Sequence, residues 1–285
     1  MGCIIRKSDL NTGITIPIYH TIMSFIPINH LQNIFGISSA NFDKYPELWM
    51  RNIELYIPQT FDIISIISKY ESNIIDMSEF EKLNVDNNID SNILKSLFTK
   101  YGSDKSNAYY HYYANVLDKF KTQNIRLLEV GLGTNDPTLI STMGIGQYSC
   151  GSSLRSFRDY LPHSMIYGAD VDKNCLFNEQ NIRTFFVDQL DFPSFTELHT
   201  NCGNLPFDVI IDDGLHCTGA NINTIMFALQ HINRNGVIII EDIPYTKMKA
   251  YQIIDYVLYN EKDKYKTTFI TYNNVSGFMY IIEVL

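Results

Sequence analysis

Between residues 125 and 282, short apolar runs alternate with stripes of helical spacing, and this alternation limits the available folds more than any other feature. Runs at 125–130, 165–169, 184–187, 207–211 and 236–240 read as strands. Their apolar residues are nearly continuous, as expected of strands buried on both faces of a parallel sheet. Helical stripes separate them: Tyr109, Tyr113, Val116, Leu117 and Phe120; Leu154, Phe157 and Leu161, stopped by Pro162; Ile222, Ile225, Met226 and Leu229; Tyr251, Ile254 and Leu258. Segments 267–271 and 278–282 read as a closing antiparallel pair. The expectation is an α/β, doubly wound, mostly parallel sheet of seven strands with helices on both faces. In such sheets ligands bind beyond the carboxyl ends of the strands, so the residues just after each strand are the first candidates.

The first 83 residues have a different texture: rich in Ile and aromatics, poor in Gly, without the strand–turn–helix rhythm. Residues 46–70 are compatible with one or two helices broken at Pro58. The expected organisation is a helical N-terminal region over 1–83, a polar linker with a lead-in helix over 84–98, and the α/β domain over 99–285. Segment 14–28 is apolar in outline, but Pro17, His20 and Pro27 interrupt it. A spanning helix needs roughly 20 apolar residues, so no stable membrane insertion is expected. Met1-Gly2-Cys3 opens like an acylated N-terminus, yet Arg6 stands where that pattern requires Ser or Thr.

Charge and cysteine usage narrow the classes further. The 22 Lys and Arg against 31 Asp and Glu leave a net charge of −9, which argues against nucleic-acid partners held by phosphate contacts. Cys3, Cys150, Cys175, Cys202 and Cys217 are scattered, with no C-x-x-C pair. They read as separate reduced thiols, and so as a cytoplasmic protein without a disulfide framework or zinc site.

The ends of five consecutive strands carry Gly or acidic groups. Gly131 and Gly133, in Glu129-Val-Gly-Leu-Gly-Thr134, suit a turn that a ligand approaches closely, or a purely structural turn. The dinucleotide fingerprint requires a third Gly where this chain has Asp136. Asp170-Val-Asp172 follows the second strand, where a carboxylate accepts from ribose hydroxyls or is simply solvated. Asp188-Gln189 follows the third, placed to meet an adenine edge. Asp212-Asp213-Gly-Leu-His216 and Glu241-Asp242 follow the fourth and fifth.

Together these segments resemble the Rossmann-like class I S-adenosylmethionine-dependent methyltransferases. Within them the likeness is to the macrocin O-methyltransferase and cephalosporin-hydroxylase-like group. Tyr101-Gly-Ser-Asp-Lys105 with His111, and 151–160, resemble further segments of that group; the likeness spans about residues 100–285 and none of the first 80 or so. It implies S-adenosylmethionine as cofactor and O-methylation of a sugar, glycan or natural-product hydroxyl. The implied cofactor set is Glu129, Gly131, Gly133, Thr134, Ser103, Lys105, Arg155, Asp170, Asp188, Gln189 and Asp212. Ser103, Lys105 and Arg155 would serve the methionine carboxylate, Lys105 and Arg155 being equally readable as surface charges. Asp212 is equally readable as a buried carboxylate that positions its turn. His216 with Asp213 is the implied catalytic pair, since imidazole titrates near neutral pH. Asp213, Glu241 and Asp242 are the implied Mg²⁺ ligands, carboxylates being its preferred donors. The insertion 134–150 departs from the simplest members. The N-terminal region would supply acceptor specificity or a homo-oligomer contact.

Three other classes compete. An NAD(P)-dependent Rossmann enzyme is disfavoured by the missing third Gly and by Glu129 inside the strand. A non-catalytic scaffold on the same fold is disfavoured by the intact acidic motifs. A hydroxylase would require a 2-His-1-carboxylate iron site, for which no spacing is present.

Overall fold

The computed structural model describes residues 71–136, 138, 139, 149–272 and 277–285. In chain order the elements are β1 (Ile74–Asp76), α1 (Met77–Asp86), α2 (Ser91–Tyr101), α3 (Tyr110–Leu117), β2 (Arg126–Val130), α4 (Ser152–Tyr160) and β3 (Met165–Asp170). Then follow β4 (Asn178–Glu179), β5 (Ile182–Phe186), α5 (Phe192–Asn201), β6 (Phe207–Asp212), α6 (Thr218–His231), β7 (Ile232–Pro244), α7 (Met248–Tyr259), β8 (Tyr265–Thr271) and β9 (Gly277–Val284). By their contacts, Asn73–Met248 and Lys262–Leu285 make one compact unit, and Met1–Ser72 with Lys249–Glu261 make another. In the second unit the described structure is mainly α7, whose Tyr251, Ile254 and Leu258 are buried as their spacing implies. The helices expected over 46–70 lie outside the described residues.

The first unit is built on a nine-stranded sheet of order β1-β8-β9-β7-β6-β2-β3-β5-β4. Strands β5, β3, β2, β6 and β7 are mutually parallel, and β9 runs antiparallel to both β7 and β8. Removing the two short edge strands leaves the seven expected. Because β2 is flanked by β3 on one side and β6 on the other, the order of strands reverses there, which opens a crevice at its carboxyl end. Alternate strand residues Leu127, Ile166, Val209, Ile211, Val237 and Ile239 point into one core with α1–α4. The residues between them, Leu128, Ile210, Ile238 and Ile240, are equally buried on the opposite face. Helices α5 and α6 pack together through stacked Phe195 and Phe227, separate from the first core.

Three expectations need correction. The sheet unit begins at Asn73, ahead of the expected boundary at 83: β1 pairs in register with β8, Ile74 opposite Phe269, and Asn73 Nδ2 donates to Thr268 Oγ1 at 2.9 Å. A three-residue strand is too short to show any periodicity. The polar stretch from residue 84 is the end of α1, a turn, and the cap of α2, where Asp90 Oδ1 accepts from Asn92 N at 3.0 Å. Finally, Cys150 and Cys175 form a disulfide, with Cα atoms 5.3 Å apart. Twenty-five residues separate them, so nothing in their spacing marks the pair, and the thiol argument for a reducing compartment falls with it. Cys202 and Cys217 are free, and Cys3 lies outside the described residues. No helix among the described residues is long and apolar enough to cross a membrane.

Candidate functional site

One pocket lies along the carboxyl ends of β2, β3, β5, β6 and β7, lined by Ser103, Gly131, Gly133, Thr134, Asp170, Asp188, Gln189, Asp213, His216 and Asp242 among others. Gly131 has φ +98°, and a Cβ there would overlap the backbone carbonyl of Asp213. The turn after β2 is therefore packed directly on the turn after β6, which only glycine allows. Asp170 is buried, its carboxylate fixed by Leu132 N at 2.7 Å and Asp172 N at 2.8 Å. Burial raises its pKa from the ordinary value, with those N–H groups pulling the other way. Asp172 itself turns away to accept from Thr134 Oγ1 at 2.5 Å. Asp188 Oδ1 accepts from Leu190 N at 2.9 Å and stays half-buried in the lining.

The β6–β7 end is acidic. Asp213 Oδ1 lies 3.8 Å from His216 Nε2, and Asp213, His216 and Asp242 each offer a ligand atom within 4.8 Å of the others. The Nδ1 of His216 is buried without a hydrogen-bond partner, so no hydrogen bond anchors the ring in this arrangement. Asp242 is held by the hydroxyls of Tyr109 and Tyr272. Six non-glycine residues among those described have positive φ; four are Asn, which tolerates it best, and the other two are His216 and Asp242, both at 51°. Both site residues are therefore held in a backbone conformation that the surrounding fold must enforce.

Behind this lining sits Lys105, 2% exposed. Its Nζ lies 2.5 Å from Asp213 Oδ2, 2.7 Å from Glu241 Oε2 and 3.4 Å from Glu129 Oε1. Burial alone would lower its pKa, but the carboxylates of Asp213, Glu241 and Glu129 outweigh that and hold it well above the ordinary value, fully charged. Burial pushes Glu129 up to about 7 and Glu241 well above the usual range, with Lys105 opposing in both cases. Tyr113 donates to Glu241 Oε1, and Ser153 to Glu129 Oε2.

Five expected site residues are placed differently. Lys105, Glu129 and Glu241 form this internal ion cluster, so Lys105 does not serve the methionine carboxylate and both oxygens of Glu241 are already engaged. Arg155 is committed to Glu179 at 2.7 Å and to the Cys150 carbonyl at 2.8 Å. Asp212 is fully buried, and its Oδ1 accepts from Gln189 Nε2 at 2.9 Å and Gly214 N at 3.2 Å, a structural duty. Gln189 does line the pocket, but its amide also bonds Thr224 Oγ1 and Leu215 N. Tyr109, Tyr113 and Tyr272 were not anticipated. The first two belong to a stripe read as core, and a buried Tyr where Phe would pack equally well is the signal that its hydroxyl has a partner. Most of 134–150 lies outside the described residues, though Ser149 lines the pocket.

The donor set suits a hard divalent ion. Asp213 and Asp242 present carboxylate oxygens close together, and three carboxylates (Glu129, Asp213 and Glu241) face the single ammonium of Lys105. Mg²⁺ is commonly held by one or two carboxylates plus water and substrate oxygens. His216, a nitrogen donor, fits it less well.

No family model matches the chain. It is 32% identical over 126 residues to the demethylmacrocin O-methyltransferase of Streptomyces fradiae, 44% of this chain and 29% of that protein. It is 26% identical over 161 residues to the 8-demethyl-8-α-L-rhamnosyl tetracenomycin-C 2'-O-methyltransferase of Streptomyces olivaceus, 56% of this chain and 40% of that protein. The chain thus spans less than half the length of these curated relatives. In three dimensions it shares its fold with the MycE methyltransferase of the mycinamycin biosynthetic pathway, solved with Mg and S-adenosylhomocysteine: TM-score 0.53, 22% identity, covering 67% of this chain and 54% of that one. The α/β sheet of this chain thus shares the fold of that methyltransferase.

Proposed function

We propose that this chain is an S-adenosylmethionine-dependent O-methyltransferase whose acceptor is a hydroxyl of a sugar, glycan or glycosylated natural product. The observation that carries this reading is one pocket that runs from a glycine turn and a ribose-facing carboxylate to an acidic cluster with an imidazole. Curated relatives that methylate sugar hydroxyls support the acceptor class.

The bound cofactor supplies an electrophilic methyl on a sulfonium, and the protein's task is to align an oxygen with it and exclude water. Gly131 and Gly133 let the backbone approach the methionine and ribose, Asp170 accepts from the ribose hydroxyls, and Asp188 accepts from the adenine amino group. Ser103 at the pocket wall faces the methionine end. His216 takes the proton of the acceptor hydroxyl, and Asp213, 3.8 Å away, stabilises the imidazolium that results. Asp213 and Asp242 would hold Mg²⁺, which supplies Lewis acidity to the acceptor oxygens. Residues 1–72, which precede the sheet unit, are assigned to acceptor specificity or homo-oligomer assembly, since every lining residue among the described ones lies beyond residue 100.

The test is transfer of labelled methyl from S-adenosylmethionine to a panel of rhamnosyl and deoxysugar glycosides, with product mass as readout. A gain of one methyl on a sugar oxygen is expected. Transfer to amines or to none of the glycosides, with cofactor bound, would overturn the acceptor class.

A further inference from the structure

The buried ammonium of Lys105 touches the same Asp213 carboxylate that faces the pocket, yet Lys105 is no part of the lining. It comes from the short turn after α2, over one hundred residues from Asp213 in sequence, and is the one lysine or arginine paired with Glu129, Asp213 and Glu241 among the described residues. A group so placed acts on a pocket ion in two ways. It fixes Asp213 Oδ2 and so leaves Oδ1 turned toward His216. It also repels any second cation that settles on Asp213 and Asp242, because like charges within several ångströms cost more in a buried site than in water.

We infer that Lys105 is a positioning residue that sets the cation affinity of the pocket: its ammonium is the built-in counter-charge of the cluster, and a divalent ion binds against it. The inference rests on the proposed Asp213–Asp242 ion site and adds that the ion shares Asp213 with Lys105. An ion is then held reversibly, whereas a cluster without the ammonium would need one to stay folded.

Mn²⁺ alone, titrated calorimetrically into the full chain, is the probe, with Lys105→Met, which keeps the length and removes the charge, and Lys105→Arg, which keeps the charge. Lys105→Met is expected to bind Mn²⁺ at least tenfold more tightly than the native chain, and Lys105→Arg to stay within about threefold of it. Thermal melting in EDTA should show Lys105→Met less stable than native, with a larger rise on adding Mn²⁺. Equal affinity in native and Lys105→Met overturns this inference and leaves the ion site standing; no Mn²⁺ binding in either overturns both. Should Lys105→Met fold in neither buffer, Lys105→Gln, which removes the charge but can still donate to Asp213 and Glu241, is titrated in its place: the same tenfold gain is expected, and an affinity equal to the native chain overturns the inference.

Discussion

The two ends of the pocket are built by different means. At the β2–β3–β5 end, backbone does the shaping: Gly131 packs on the Asp213 carbonyl, and Asp170 is pinned by two backbone N–H groups. At the β6–β7 end, side chains do it: Lys105, Tyr109, Tyr113 and Tyr272 hold four carboxylates that would otherwise repel one another. The first end is suited to a ligand of fixed shape and the second to moving charge. The contrast implies that binding and chemistry can be damaged separately.

Substitutions should separate the two ends, with the largest effect in the chemistry. His216→Ala should lower turnover by roughly 10²–10⁴-fold, the usual worth of a positioned base, while calorimetry finds S-adenosylhomocysteine affinity unchanged. The deficit should narrow at high pH, where the acceptor hydroxyl ionises unaided. A matching loss of cofactor affinity would mean that the ends are not independent.

Next in size is the pH response of the acidic end. Glu129 sits near 7 in the fold against an ordinary value of 4.5, so the folded state binds more protons between those limits. Glu129 should therefore contribute a fall in stability as pH rises from about 4.5 to about 7, by on the order of 3 kcal/mol, and no slope outside that window. Urea denaturation at pH 5 and pH 8 should show this slope in the native chain and lose most of it in Glu129→Gln. At the other end, Asp170→Ala should weaken S-adenosylhomocysteine by about 1–3 kcal/mol, the worth of hydrogen bonds to a charged group.

The same contrast explains what the sequence discloses. Continuous apolar strands and the glycine turn are local patterns, so seven strands, Gly131, Gly133 and Asp170 could be placed from residue order alone. Helix α5 was missed although Pro193 stands in its first turn, a position proline favours, because its Phe192, Phe195 and Leu198 stripe is brief. The ion cluster joins residues 105, 113, 129, 213 and 241, and no spacing rule connects positions brought together only by the sheet. Lys105, read singly, is as credible on the surface as in the cluster; what decides is the presence around it of two buried carboxylates, Glu129 and Glu241, and the half-buried Asp213.

The central claim is that the backbone-built end binds the cofactor on its own. Calorimetric titration of S-adenosylhomocysteine into the native chain in EDTA, with NAD as the control ligand, tests it most directly. Undiminished heat of S-adenosylhomocysteine binding in EDTA, with none from NAD, is the predicted result. Binding of NAD instead, or S-adenosylhomocysteine binding that vanishes when divalent ions are removed, would contradict it.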